Sequence, residues 1–102
     1  MYGTIAFMTV KPGSDERLRA YAEGPGSEPV AGVVASYVYR LDAGADRYAL
    51  AVVFEDEAAY RANAGSPEQH ARYLDLRALL VDDPEWHDGA VVFARDGRHQ
   101  GA

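Results

Sequence analysis

The chain has 102 residues, no cysteine, a formal net charge of -6, and 48% hydrophobic residues. That is enough apolar content for one packed domain and too much for a disordered segment. The acidic balance excludes the Lys- and Arg-rich surfaces that nucleic acid or an anionic membrane requires, and the missing cysteines exclude disulfides, thiolate nucleophiles and cysteine-ligated metals, in keeping with a reducing, cytoplasmic setting.

The N-terminal "MYGTIAFMTVKPG" has no basic leader and no cleavage site, so residues 2–10 read as a strand that ends at the Lys11-Pro12-Gly13 turn. No apolar run approaches the ~18 residues of a membrane span. Ser14 is a candidate N-cap, and Asp15 and Glu16 suit the positive end of a short helix that stops at Gly24-Pro25-Gly26. Residues 32–41, "GVVASYVYRL", are β-branched and aromatic and predict a second strand. "DAGAD" is hairpin chemistry and leads into a third strand over 47–55. Asp56 caps a short helix through Asn63, which ends at Gly65. Ser66 then opens a longer one, with Pro67 at its first position and Gln69 completing a Ser-x-x-Gln capping box. The apolar spacing carries this helix to about Val81, where Asp82-Asp83-Pro84 stops it. "EWHDG" reads as a loop and residues 90–95 as the last strand. The order is that of an α+β, ferredoxin-like βαββαβ domain spanning 1–96, with a short polar tail, 97–102, and a four-stranded antiparallel sheet covered on one face by helices.

Such a sheet should alternate apolar with polar residues, and this one does so poorly. In the second strand Val33, Ala35, Tyr37, Tyr39 and Leu41 oppose Val34, Ser36 and Val38. In the third, Tyr48, Leu50, Val52 and Phe54 oppose Ala49, Ala51 and Val53. A second apolar face needs a partner, and the simplest is another copy of the chain related by a two-fold axis. The expectation is a homodimer whose sheets face each other.

A ferredoxin-like unit with two apolar sheet faces resembles the dimeric α+β barrel superfamily. The stretch "FEDEAAYRANAGSPEQHARYLDLR" is similar to the matching segment of the antibiotic biosynthesis monooxygenase family, and Ala59-Tyr60-Arg61-Ala62-Asn63 resembles a run in its actinorhodin-type, cofactor-free members. The resemblance implies a pocket between sheet and helices in each subunit. It further implies one of three roles: oxidation of a planar, hydrophobic aromatic or quinol-type substrate with dioxygen and no metal or flavin, haem binding through a histidine on the long helix, or a dimeric binding module without catalysis. Phe54 stands where many members have tryptophan, and Asn63 where many have histidine.

The candidate site residues follow from this placement. His70 and Arg77 are seven positions apart in the apolar stripe of the long helix, with Tyr73 and Leu74 beside them, while Glu68, Arg72 and Asp75 fall on the opposite, wet side at ~100° per residue. His70 is either a proton shuttle or haem ligand over the pocket or a partly buried histidine with its tip in water. Arg77 either contacts substrate or snorkels and pairs with an acid. Asn63 either ends its helix or, as the resemblance implies, holds a developing oxyanion. Trp86 and His87, with Glu85 and Asp88 beside them, lie in a loop that can wall the pocket. The expected assignment is thus His70 and Asn63 as catalytic, Phe54, Tyr73, Leu74, Arg77, Trp86 and His87 as substrate-binding, a small-molecule ligand, and no metal.

Overall fold

The computed structural model describes residues 1–95. The expected tail, 97–102, and the last expected domain residue, 96, lie outside them. Four strands, β1 (Tyr2–Thr9), β2 (Val33–Arg40), β3 (Arg47–Phe54) and β4 (Glu85–Ala90), form one sheet in the order β2-β3-β1-β4. Every neighbouring pair is antiparallel. Three helices, α1 (Asp15–Glu23), α2 (Glu57–Ala64) and α3 (Pro67–Arg77), and a 3-10 turn at Pro25–Ser27 complete the ferredoxin-like α+β unit. No helix among the described residues is long and apolar enough to cross a membrane.

The N-cap residues act as the sequence indicates at two of three helices, but the expected capping box is not closed: Gln69 Oε1 accepts from Asn63 and Arg72, and the Ser66 N–H donates to the Asn63 carbonyl at 3.0 Å. The Asp56 side chain accepts from the Ala59 N–H at 2.8 Å, and the Ser66 hydroxyl accepts from the Gln69 N–H at 3.1 Å. Ser14 makes no side-chain cap bond at α1. In the β2–β3 hairpin Asp46 takes φ 63°, a left-handed conformation that Asp tolerates, and its carbonyl accepts from the Val10 N–H at 2.8 Å. Gly32, at φ +84°, has no such alternative: a Cβ there would meet the Ala59 Cβ of α2 at 2.6 Å.

Helices cover one face. Ala6, Met8, Val10, Leu18, Tyr48, Leu76 and Leu80 form the buried core between sheet and helices. Three expectations are corrected here. First, α3 ends at Arg77, not Val81. Leu80 instead forms a bridge with Val10, and the Val81 N–H donates to the Thr9 carbonyl at 2.9 Å. The apolar run is thereby kept, but as an extended segment pinned to the end of β1. Second, the last strand is 85–90, not 90–95, so Trp86 and His87 lie on a strand and not in a loop. Its polar composition is tolerated because it is the sheet's edge. Val92 and Phe93 are exposed beyond it. Third, the β2 register shifts between Val33 and Ala35. This bulge turns Val33 to the side of Ser36 and Val38 and away from Ala35, Tyr37 and Tyr39.

The other sheet face carries Ile5 and Phe7 of β1, Tyr37 and Tyr39 of β2, Ala51 and Val53 of β3 and His87 of β4. Tyr37 and Tyr39 are 55% and 50% exposed there, and Ile5 is 42% exposed.

Candidate active site

Away from the core, the helices stand off the sheet and leave a cleft of about 1090 Å³. Small-molecule sites span about 300–1,000 Å³, and this cleft matches the upper end of that range. Its floor is the helix-side residues of the sheet: Thr4, Val52, Phe54, Trp86 and Asp88, with Leu50 and Val38. Its roof and rim come from Tyr60 and Asn63 of α2, from Gln69, His70, Arg72, Tyr73 and Leu76 of α3, and from Tyr21 of α1.

Two polar groupings interrupt the apolar lining. On the rim, Arg72 Nη2 donates to Asn63 Oδ1 and to Gln69 Oε1, both at 3.2 Å, and Asn63 Nδ2 donates to Gln69 Oε1 at 3.2 Å. The Tyr21 hydroxyl donates to the Arg72 carbonyl at 3.2 Å. Burial pushes the Tyr21 phenol above its usual range, with the Arg72 charge acting against it. On the floor, the Thr4 hydroxyl donates to Asp88 Oδ1 at 2.6 Å. Burial first, and the neighbouring Asp88 carboxylate second, raise the Tyr60 pKa. Phe54 stands edge-on to Tyr60 at 5.5 Å between ring centroids.

Of the expected site residues, five line this cleft: Phe54, Asn63, His70, Tyr73 and Trp86. Three do not. Leu74 is exposed on the outer side of α3. Arg77 donates from Nε to Asp83 Oδ1 at 2.8 Å and from Nη1 to the Leu80 carbonyl at 3.0 Å, which ties down the end of the helix. His87 lies on the opposite sheet face, 2.9 Å from Glu85 and edge-on to Phe7. Its partner in the register is Ile5, so the sheet lies between it and the cleft.

Sequence reasoning missed Thr4, Asp88, Tyr60, Gln69 and Arg72. Arg72 was expected on the wet face. It is half-buried because Asn63 of α2 and Tyr21 of α1 bond to it on that side of α3. Thr4 and Asp88 stand 84 positions apart, and only the β1–β4 register joins them.

The fold and cleft define a class, the ferredoxin-like domain with a ligand-sized space under its long helix. The sequence profile of the antibiotic biosynthesis monooxygenase family matches residues 1–72, and the chain belongs to that family. Among solved structures, a Chloroflexus aurantiacus protein of the antibiotic biosynthesis monooxygenase type matches with TM-score 0.75 at 21% identity, covering 93% of this chain and 96% of its own. SnoaB of Streptomyces nogalater, a cofactor-independent oxygenase solved as an asparagine-to-alanine variant, matches with TM-score 0.75 at 19% identity, covering 91% and 94%. A Caulobacter crescentus protein of the family type gives TM-score 0.76 at 14% identity over 88% and 89%. At these identities the structural matches speak to the fold. No curated protein matches the chain.

Proposed function

We propose that this member of the family is a cofactor-independent monooxygenase for a planar, hydrophobic, aromatic or quinol-type substrate, and that it works as a homodimer joined through the open sheet face. The observation that carries the reading is a cleft at the upper end of small-molecule size walled by Phe54, Tyr73 and Trp86, with His70 and the Asn63 amide on its rim. Its likeness to a cofactor-independent oxygenase supports it. The His70 ring makes no hydrogen bond among the described residues, so it is available to take a proton from an acidic C–H. Asn63 Nδ2 has a second hydrogen beyond the one given to Gln69. That hydrogen can be given to the oxyanion as charge develops. Arg72, bound to the same amide oxygen, adds positive charge nearby. The resulting carbanion reacts with dioxygen: a ring methylene and O2 give a ring carbonyl and one water. The protein supplies position and excludes water.

The test is oxygen uptake with a hydroxyanthrone. One O2 consumed per substrate, with the loss of most turnover in His70→Ala, is the expected result. His70 is also the imidazole that the cleft offers to a haem iron. A visible band on adding haemin, absent in His70→Ala, would move the assignment to haem. Silence in both assays would leave a binding module. For the dimer, sedimentation at micromolar concentration should give twice the chain mass, and Tyr37→Glu, which places charge in the centre of the exposed apolar face, should give monomers.

A further inference from the structure

Among the described residues only two arginines are not exposed, Arg72 and Arg77. Arg77 is paired with Asp83. Arg72 has no acid within ion-pair distance among the described residues, although the chain is acidic overall. Neutral groups hold it instead. Its Nη2 donates to Asn63 Oδ1 and Gln69 Oε1, both at 3.2 Å, and its backbone carbonyl accepts from the Tyr21 hydroxyl at 3.2 Å. A guanidinium carries five N–H donors. The two on Nη2 are taken, and those on Nε and Nη1 have no acceptor among the described residues. Drawing a charge out of water without a counter-ion costs stability. A residue that only tied α2 to α3 would avoid that cost as a neutral amide, whose NH2 group reaches two carbonyl oxygens equally well. Arg72 also lines the cleft, and the two acids of that lining, Glu28 and Asp88, leave its charge unpaired.

We propose that Arg72 is the anion-recognition residue of the cleft, and that the ligand is a planar, apolar acid bound as its carboxylate. The carboxylate accepts from the guanidinium N–H groups that Asn63 and Gln69 leave over, and it supplies the counter-charge that the chain itself withholds. Asn63 and Gln69 fix the guanidinium plane, so little side-chain freedom is lost when the acid binds. The apolar ring then lies against Tyr73 and Trp86. A consequence for catalysis follows. Once paired with Arg72, the carboxylate no longer opposes the negative charge that develops at the oxyanion beside Asn63. The recognition part stands alone; this catalytic consequence rests on the oxygenase reading above.

Trp86 is the chain's one tryptophan and walls the cleft, so its fluorescence reports binding directly. The full chain is titrated at neutral pH with anthraquinone-2-carboxylate and with the matching carboxamide, which has the same shape and no charge. The wild type should bind the acid about tenfold tighter or more, the worth of a hydrogen bond between charged groups. Arg72→Gln should bring the two within about twofold and leave the affinity for the amide unchanged. Arg72→Lys, which keeps the charge, should keep part of the preference. A purely structural Arg72 would instead lower the melting point and weaken both ligands alike. The inference is overturned if the wild type binds the acid no tighter than the amide, or binds neither, results that need no variant to fold. It is overturned equally if Arg72→Gln keeps the preference. If the preference depends on Arg72 but oxygen uptake with the hydroxyanthrone is absent, the recognition site holds and the oxygenase reading fails.

Discussion

The two ends of α3 meet the sheet in different ways. At its C-terminal end Leu76 is buried, and just beyond it Leu80 is sealed against Val10, while Arg77 binds Asp83 and the Leu80 carbonyl. At its N-terminal end His70 and Tyr73 overlook open space, and Asn63, Gln69 and Arg72 bond to one another along the rim. His70 and Arg77 occupy the same stripe and look alike in a helical projection. One stands solvent-exposed at the mouth of the cleft and the other closes a helix. The contrast shows that a polar residue in an apolar stripe carries no role of its own; what lies opposite it decides.

This contrast sets the order of expected effects. The largest belongs to the sealed end. Leu80→Ala opens a cavity in a fully buried position and should cost about 2–5 kcal/mol. At about 4–8 °C per kcal/mol for a domain of this size, the loss is plain in a melting curve. His70→Ala should do the reverse: turnover falls about 100-fold, the scale of a lost general acid–base group, and the melting point barely moves. If His70→Ala unfolds the chain, the two ends are not different in kind.

A third effect belongs to the cleft floor and is read by pH. The Tyr60 pKa is raised in the folded chain above its ordinary value of 10.0. Folding therefore favours the protonated phenol, and this contribution is complete below pH 10 and lost as pH rises through the folded value. Tyr60→Phe should flatten the fall in melting point between about pH 9 and 11. Tyr21, raised by burial, should leave a residual slope. The smallest effect is Arg77→Ala. Its side chain is 35% exposed and its partner Asp83 82%, so the pair is screened and the melting point should drop slightly, less so in high salt, with turnover unchanged. A large loss of turnover would return Arg77 to the site.

Much of the fold was legible because its signals are local. The Asp56 and Ser66 caps, the hairpin ending at Asp46 and the doubly apolar strands each rest on residues a few positions apart. The site was legible only in part, because its parts are distant in sequence. His70, Asn63, Phe54, Tyr73 and Trp86 could be found, since each sits on or beside a strong local pattern. Asp88 could not be paired with Thr4 without the β1–β4 register, and "EWHDG" has turn composition that an edge strand accepts. Arg72 was misplaced because a helical projection assumes one covered side, whereas α3 is overlapped by neighbours on two. His87 was placed by adjacency to Trp86, but successive residues of a strand face opposite ways.

Gly32 sits outside the cleft, yet its missing side chain sets how close α2 comes to the sheet, since even a methyl there would collide with Ala59. It works as a spacer of fixed thickness beneath one wall. The width of that side of the cleft thus depends on a residue that does not line it. Of the two residues in this contact only Ala59 is open to change, since the left-handed backbone at Gly32 admits no side chain.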